Sequence, residues 1–518
     1  MAPPSLSRAD NGGAVVVVDE HRSPPQRGTL LDAEEFRRQG YQVVDLIADY
    51  YARIGDIVVH PSVTPGFLLR QLPADAPARP GPEAFTAALQ DIRDVILPGM
   101  THWQSPRHFA HFPASSSTVG ALGEALTAGI NAVPFTWAAS PAATELEMVV
   151  VDWLGRALHL PETLTFAGGG GGTFLGTTCE AVLCALVAAR ERKLAEVGRG
   201  RVGDLVVYCS DQTHFALAKA ARIACIAHCR EVATRRDDAF ALSPAALRAA
   251  VRADVDAGLV PLFLCATIGT TATAAVDPVG ELCAAVRGVA GAADVWVHVD
   301  AAYAGSALVC PEFRHLAKDA AAVDSFSMNA HKWLLANTDC CALWVRNPSL
   351  LTAALGTDHD VILKDAAAAG HQVVDYKDWT VTLTRRFRAL KMWLVLRCYG
   401  VEGLRDHIRA HISMAATFES MVKADPRFEI MAQRRFALVC FRLRPPAGSE
   451  KKANMLNTRL LEEINATSFG PYLSSATVGG VFMIRCAIGS TLTQEHHIVE
   501  AWKVVQDQAA LLLRKLEN

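Results

Sequence analysis

Short, almost wholly apolar segments alternate with helical stretches between about residues 140 and 300. The segments DLVVYCSDQ, LVPLFLCATIG and VWVHVDAAYAG have strand character, and stretches such as THFALAKAARIA have helical character. Strands that are apolar on both faces are typical of a parallel sheet with helices packed on each side. The sequence therefore predicts an α/β fold with a mainly parallel sheet covered by helices. Its functional residues should lie at the carboxyl ends of the strands.

The flanking sequence predicts how the 518-residue chain is organised. Residues 1–28 are rich in proline, glycine and charge, which predicts a disordered lead. Residues 29–115 are predicted to form an N-terminal helical segment, 116–405 a large domain, and 406–518 a small C-terminal α+β domain. Within the large domain, the glycine run before GTTCEA predicts a turn that opens into a long helix.

Composition argues against several classes of function. The formal net charge of -3 gives no electrostatic reason to expect binding to nucleic acid or to an anionic membrane. No apolar run is long enough to predict a transmembrane helix. The 13 cysteines are scattered through apolar segments, which favours reduced thiols and a cytoplasmic location. Cys225, His228 and Cys229 form a cluster, but no second ligand pair follows it, so zinc is not favoured.

Polar side chains follow three of the predicted strands. Asp300 ends one strand, His214 follows another, and Thr271 follows the third. The carboxyl ends of parallel strands meet at one edge of a sheet, so these side chains are expected to lie together. Because a buried carboxylate is costly unless it is paired, Asp300 is expected to have a partner.

A lysine stands at the edge of an apolar run in SFSMNAHKWLL, where it is Lys332. The ordinary interpretation is a side chain that buries its methylene groups and keeps its ammonium group in water. The chemical alternative is a desolvated amine with a lowered pKa, which forms Schiff bases with carbonyl groups. The choice between the two depends on the rest of the chain.

The order of a glycine-rich helix start, His214, Asp300 and Lys332 favours the chemical alternative. Each element alone is weak, because a glycine run is usually a loop and an aspartate at a strand end is often a helix cap. Together they supply what pyridoxal phosphate requires. GTTCEA offers backbone N–H groups for the phosphate, the aspartate pairs with the pyridine nitrogen, and the lysine carries the cofactor.

From about residue 31 to 515 the chain resembles the plant aromatic L-amino acid decarboxylases, a branch of the group II pyridoxal phosphate decarboxylases. The motifs are THWQSPRHFAHFPASSS, FTWAASPAATELE, GTTCEA, SDQTHFAL, HVDAAYAG, NAHKWLL, and DYKDW with RRFRALKMW. The pattern is most similar to the tyrosine decarboxylases and aromatic aldehyde synthases of that group. The resemblance implies the type I fold of pyridoxal phosphate-dependent transferases and a homodimer with shared active sites, in which the N-terminal helical segment packs on the partner subunit.

The resemblance also implies roles at the cofactor. Lys332 is similar to the Schiff-base lysine, Asp300 to the partner of the pyridine nitrogen, and His214 to the imidazole stacked on the ring. The other positions that match cofactor contacts are Ala302 beneath the ring, Thr271 near it, and Thr178, Cys179 and Asn329 at the phosphate.

Further positions match the substrate pocket of the family. Its wall is matched by Trp103, Phe112 and Pro113, and residues supplied by the partner subunit are matched by Val133 and Phe135. Thr384 stands where phenol-directed members carry serine and indole-directed members carry glycine. The resemblance therefore favours tyrosine, DOPA or phenylalanine over tryptophan as the substrate.

One loop departs from the family pattern. Family decarboxylases carry a tyrosine just before the Leu-Lys of LGTDHDVILKDAAAAGHQVVDYKDW, where this chain has Val361 or Ile362. An aliphatic side chain cannot protonate the α-carbon after CO2 is lost. Members with phenylalanine there resemble aldehyde synthases, which consume O2 and release aldehyde, CO2, ammonia and peroxide. We expect mostly aldehyde; the alternative is an amine, with the proton delivered by water or His214.

Two other classes of protein stay open at this point. An aminotransferase needs a similar cofactor set, and Arg485 could bind a substrate carboxylate, although the pairing of HVDAAYAG with NAHKWLL argues against it. The altered loop also fits a catalytically silent cofactor-binding protein. A nucleotide-binding loop is disfavoured, because GGGGGT is not followed by Gly-Lys-Ser/Thr.

Overall fold

The computed structural model describes residues 30–81, 83–357, 373–445 and 449–517. The predicted disordered lead, residues 1–28, lies outside the described residues, and so do Val361 and Ile362 of the altered loop.

The chain divides into two compact units. The first contains the described residues up to Arg53 together with Ser62–Met100, and the second contains Ile54–Pro61 and the chain from Thr101 onward. The boundaries expected near residues 115 and 405 stay predictions.

The first unit is built on two helices, α1 (Ala33–Arg53) and α2 (Ala84–Asp91). The Asp32 carboxylate begins α1 by accepting a hydrogen bond from the Glu35 N–H at 2.8 Å, which satisfies one of the free donors of the first turn. Helix α1 has apolar residues at helical spacing, yet none of its residues is buried. Phe36, for example, is 68 % exposed.

The second unit contains a seven-stranded sheet with the order β1-β7-β6-β5-β4-β2-β3. Its strands are β1 (Gly171–Leu175), β2 (Leu205–Ser210), β3 (His228–Val232), β4 (Val260–Thr267), β5 (Trp296–Asp300), β6 (Ser325–Asn329) and β7 (Cys341–Val345). Strands β2 to β6 are parallel, and β7 runs antiparallel to both β1 and β6. The predicted mainly parallel sheet is confirmed.

Helices cover both faces of this sheet. The helices between residues 118 and 355 are α3 (Thr118–Ile130), α4 (Pro141–Ala157), α5 (Thr178–Val197), α6 (Ala216–Ile223), α7 (Pro244–Asp256), α8 (Val279–Arg287), α9 (Ala330–Trp333) and α10 (Pro348–Leu355). Alternate strand residues enter separate apolar layers, since Val297 and Val299 pack with α4, α7 and α8 whereas Trp296 packs with α5 and α6. Among the described helices, none has the length and apolarity needed to cross a bilayer.

The glycine run contains a strand that the sequence analysis missed. Gly171 and Gly172 begin β1, which pairs with β7, and only the preceding glycines form a turn. A Cβ atom on Gly171 would lie 2.7 Å from the Trp379 ring, and one on Gly172 would lie 2.8 Å from Val151. Glycine is therefore needed here for close packing. The prediction of a turn was wrong for these two residues because it considered only the flexibility of glycine.

The C-terminal part forms the predicted smaller α+β layer. Its four-stranded antiparallel sheet has the order β10-β11-β9-β8, with β8 (Phe428–Ile430), β9 (Leu438–Leu443), β10 (Ser474–Val478) and β11 (Val481–Ala487). Its helices are α11 (Arg388–Ala424), α12 (Glu450–Asn465) and α13 (Glu495–Glu517). Helix α11 bends at Gly400, whose φ of 64° lies in the left-handed region that favours glycine.

Candidate active site

A cavity of about 220 Å³ lies at the carboxyl ends of β2, β4 and β5, beside the start of α5. It brings together most of the positions singled out from the sequence, namely Phe112, Thr178, Cys179, His214, Thr271, Asp300, Ala302, Asn329 and Lys332. The location agrees with the expectation that ligands bind at the carboxyl edge of a parallel sheet.

Lys332 is carried by the single helical turn α9, which follows directly after β6. The next residue, Trp333, is fully buried and donates its indole N–H to Nδ1 of His411 at 2.9 Å, which anchors the turn. Removal of the Lys332 amine from bulk water lowers its pKa, while the Asp300 carboxylate acts in the opposite direction. A larger share of the amine is therefore uncharged and nucleophilic than in an exposed lysine.

Asp300 is the last residue of β5 and is only 4 % exposed. Its Oδ1 accepts a hydrogen bond from the Ala302 N–H at 2.9 Å. Among the described residues it forms no salt bridge within 4 Å, although Lys332 and His214 lie close enough to be affected by its charge. A buried carboxylate of this kind needs a cationic partner, and the protonated nitrogen of a pyridine ring would supply one.

The start of α5 provides a site for an anion. Thr177 is the N-cap residue, and the Glu180 carboxylate accepts the Gly176 N–H at 3.0 Å, which fixes the turn before the helix. The Thr178 hydroxyl donates to Oδ1 of Asn329 at 2.9 Å and so links the helix start to the end of β6. The free N–H groups of a first helical turn attract phosphate.

His214 lies on the segment that follows β2. Its Nδ1 accepts a hydrogen bond from the Ala216 N–H at 3.2 Å, so the proton of the neutral ring is on Nε2. Burial lowers the pKa of His214, Asp300 raises it, and Lys332 lowers it further. The imidazole is therefore neutral at pH 7, with its Nε2–H available as a donor.

A buried hydroxyl without a partner also faces this region. Thr267 lines the cavity and is 5 % exposed, and its Oγ1 forms no hydrogen bond with the described residues. Native proteins rarely leave such a group unsatisfied. With the amine of Lys332, the carboxylate of Asp300 and the helix start, it completes a set of groups that fits pyridoxal phosphate.

The cavity wall is an aromatic stack held by a buried arginine. Phe112 and Tyr303 have ring centroids 3.6 Å apart and nearly parallel planes. The Arg485 guanidinium lies 5.3 Å from the centroid of the Phe112 ring. Its N–H groups donate to Ala110 O, Thr271 O, Ala272 O and Ser474 Oγ. Arg485 is thus occupied in joining the cavity wall to β10, which disfavours the aminotransferase alternative.

Other predicted pocket residues do not line this cavity. Trp103 is 41 % exposed and stacks on His108 and His111. Pro113 packs closely against Gly489, where any Cβ atom would lie 2.3 Å from its ring. Of the remaining positions, Val133 and Thr384 are exposed and Phe135 is half-buried.

Five residues that had no assigned role also line the cavity, namely Thr177, Thr267, Gly269, Tyr303 and His331. Burial lowers the pKa of His331 to about 4, and its Nδ1 accepts the Cys340 N–H at 2.9 Å. Gly269 has a φ of 90°, and a Cβ atom there would lie 2.5 Å from Ala304. Adjacency in sequence was an available signal, since Tyr303 belongs to HVDAAYAG and His331 directly precedes Lys332.

Comparison with known proteins identifies the family of this chain. Residues 65–444 match the pyridoxal-dependent decarboxylase conserved domain. A tyrosine decarboxylase of Oryza sativa subsp. japonica is 73 % identical over 99 % of this chain and 100 % of its own length. A phenylacetaldehyde synthase of a Rosa hybrid cultivar is 52 % identical over 93 % of this chain and 95 % of its own length.

Solved structures agree with this assignment. Rhodiola rosea 4-hydroxyphenylacetaldehyde synthase superimposes with a TM-score of 0.87 at 47 % identity, covering 93 % of this chain and 99 % of the other. Oryza sativa TDC, crystallised with PLP and tryptamine, superimposes with a TM-score of 0.90 at 43 % identity and the same coverage. The predicted fold and cofactor are therefore confirmed, and the chain belongs to the pyridoxal-dependent decarboxylase family.

Proposed function

We propose that this enzyme decarboxylates L-tyrosine or a closely related phenolic or phenyl amino acid and releases mainly the aryl acetaldehyde. The observation that carries the product assignment is the absence of a tyrosine just before Leu-Lys in the loop, where Val361 or Ile362 stands. The substrate assignment is supported by the names of the relatives, a tyrosine decarboxylase and a phenylacetaldehyde synthase.

The positions of individual residues in the cavity support the roles proposed for them. Bound pyridoxal phosphate supplies an electron sink that accepts the electron pair left when CO2 departs. The Asp300 carboxylate at the end of β5 would stabilise a protonated pyridine nitrogen. The Lys332 amine would hold the cofactor through a Schiff base. Neutral His214 and Phe112 both line the cavity.

The fate of the α-carbon decides the product. With a proton donor nearby, the α-carbon is protonated and the product is an amine. Without one, O2 reacts at that carbon, and the balanced outcome from amino acid, O2 and water is aldehyde, CO2, ammonia and hydrogen peroxide. The side chains of Val361 and Ile362 carry no dissociable proton, so the second course is the one proposed.

Formation of amine is the second candidate, because the 73 % identical relative is named a tyrosine decarboxylase. The deciding experiment supplies L-tyrosine in air to cofactor-loaded enzyme and quantifies tyramine, 4-hydroxyphenylacetaldehyde and peroxide together. We expect aldehyde with an equal amount of peroxide, and a shift toward tyramine in Val361→Tyr or Ile362→Tyr. Tyramine alone from the unaltered enzyme would refute the aldehyde assignment. Bound cofactor without any product from tyrosine, DOPA or phenylalanine would favour a catalytically silent cofactor-binding protein.

Substrate size is assigned through Thr384. In the homodimer proposed below, Thr384 would face the pocket of the partner subunit. A β-branched hydroxyl residue there would narrow the pocket and hydrogen-bond a phenol, whereas glycine would leave room for an indole. We expect Thr384→Gly to raise kcat/KM for tryptophan relative to tyrosine, with Thr382→Gly, an exposed threonine on the same segment, as the matched control. If Thr384→Gly does not raise the tryptophan-to-tyrosine ratio of kcat/KM above that of Thr382→Gly, the assignment has no basis.

We also propose a homodimer with shared active sites. In support, Val133 and Thr384 match substrate-pocket positions but are exposed and do not line the cavity of their own chain. Helix α3 adds Leu122, Leu126 and Ile130, which are 52 %, 48 % and 60 % exposed. Light scattering should give twice the chain mass of 55.6 kDa. Mixing two inactive variants, Lys332→Ala and a Val133→Asp variant, should restore part of the activity, since one of the two sites of a mixed dimer would be intact.

The proposed location is the cytoplasm. All 13 cysteines are free, as expected for a reducing compartment. Imaging of a fluorescent fusion of the full chain would test the location, and accumulation in a vesicular or secreted pool would contradict it.

A further inference from the structure

A chain of four buried polar side chains runs along β5 and β6 toward the cavity. Trp296 Nε1 donates to Ser325 Oγ at 2.8 Å, Ser325 Oγ lies 2.8 Å from His298 Nδ1, and His298 Nε2 lies 3.1 Å from Ser327 Oγ. Trp296 is 1 % exposed, and the other three residues are 0 % exposed. A polar chain so deep in the core of a sheet calls for an explanation, because apolar residues would pack there without needing partners.

The hydrogen bonds in this chain have a defined direction. An indole nitrogen can only donate, so Ser325 Oγ is an acceptor from Trp296. The remaining proton of that hydroxyl then has His298 Nδ1 as its nearby acceptor, which places the ring proton of His298 on Nε2. That proton is donated to Ser327 Oγ. Burial lowers the pKa of His298 to about 3, so the ring is neutral at pH 7 and carries only one ring proton.

These hydrogen-bonded side chains directly precede Asp300 and Asn329, two residues assigned to the cofactor site. Side chains alternate along a strand, so Trp296 and His298 share a face with Asp300, and Ser325 and Ser327 share a face with Asn329. In the parallel pairing of β5 with β6, His298 is opposite Ser325 and Asp300 is opposite Ser327. The polar chain therefore links the two strands through their side chains at the step just before Asp300 and Asn329.

We propose that His298 is a positioning residue for the cofactor, one that sets the separation of Asp300 and Asn329 by linking β5 to β6. Asp300 is assigned to the pyridine nitrogen and Asn329 to the phosphate end, so the relative placement of the two strand ends affects how well the site fits the cofactor. A hydrogen bond has a narrow range of length and angle, whereas an apolar contact tolerates sliding. The inference rests on the cofactor site and is independent of which amino acid the enzyme uses or which product it releases.

The test measures cofactor binding and a stability change separately. The variants are His298→Leu, which removes both ring nitrogens, His298→Gln, whose amide N–H replaces Nε2–H, and Ser327→Ala. The matched control is Asn457→Leu, which removes a 0 % exposed side chain that bonds both backbone groups of Leu443 in the C-terminal layer. Each apoenzyme is titrated with pyridoxal phosphate to obtain a dissociation constant, the absorbance maximum of the bound cofactor is recorded, and the thermal midpoint is measured.

We expect His298→Leu to weaken cofactor binding about tenfold and to shift the absorbance maximum, since it loses two buried hydrogen bonds. His298→Gln should recover most of that affinity, and Ser327→Ala should weaken binding about threefold. Asn457→Leu should lower the thermal midpoint with unchanged cofactor affinity and absorbance. If His298→Leu fails to fold, the cofactor affinity and absorbance of Ser327→Ala decide the test. Wild-type affinity and absorbance in Ser327→Ala, or in a folded but destabilised His298→Leu, would overturn the proposal and leave His298 a purely structural residue.

Discussion

The ion pair between Glu147 and Arg385 is fully buried, with side chains 0 % and 1 % exposed. The guanidinium donates to the two carboxylate oxygens at 2.7 and 3.0 Å, and also to Thr173 Oγ1, Phe174 O and Pro134 O. Glu147→Ala would leave this cation without a counter-charge in a dry environment. Loss of one member of a buried pair costs about 3–5 kcal/mol, so we expect a large loss of stability.

The matched control is an exposed pair with similar geometry. Glu312 and Arg409 also form a two-point contact, at 2.8 and 2.9 Å, but their side chains are 45 % and 44 % exposed. An exposed pair contributes about 0–1 kcal/mol, so Glu312→Ala should change stability little. The assay compares thermal and urea midpoints of both variants with the unaltered enzyme, all loaded with cofactor. Equal midpoint shifts for Glu147→Ala and Glu312→Ala would refute the argument from burial.

Three further outcomes concern the active site. Lys332→Ala should lose the absorbance of covalently held cofactor and at least about a thousandfold in kcat, as measured by CO2 release; normal turnover would exclude a covalent role. Asp300→Asn should still bind cofactor but lower kcat by about a hundredfold or more, because a neutral amide does not stabilise a protonated pyridine nitrogen. Since the pKa of His214 is lowered, kcat/KM should stay level as the pH falls through about 6.5 and decline only below that value. A decline centred at the ordinary histidine pKa, abolished in His214→Gln, would show that the ring is not shielded as described.

The sequence was enough to predict the site residues that follow neighbouring strands of the sheet. Asp300, His214 and Thr271 each follow an apolar segment, and the rule that parallel strands end at one edge is enough to bring them together. Lys332 was recognisable only together with the glycine-rich helix start, His214 and Asp300, because a lysine beside an apolar run ordinarily keeps its ammonium group in water. Its lowered pKa depends on burial, which outweighs the opposing effect of the nearby Asp300 carboxylate, and the sequence alone gives neither.

Other features depend on tertiary packing and could not be predicted. The glycines of β1 were expected to form a loop, because nothing local indicates that Trp379 and Val151 would pack against them. The hydrogen-bonded chain through His298 joins residues that are distant in sequence. Arg485 looked suited to a substrate carboxylate, and only its contacts with Thr271 and the neighbouring carbonyl groups show that its donors are in use.

We propose that O2 takes the place of a proton at the α-carbon of the substrate. The most direct test measures O2 uptake and CO2 release together while cofactor-loaded enzyme turns over L-tyrosine, with catalase absent so that peroxide is not returned to O2. We expect equal molar amounts of O2 consumed and CO2 released, with 4-hydroxyphenylacetaldehyde as the organic product. Release of CO2 with no uptake of O2, and with tyramine as the product, would contradict it.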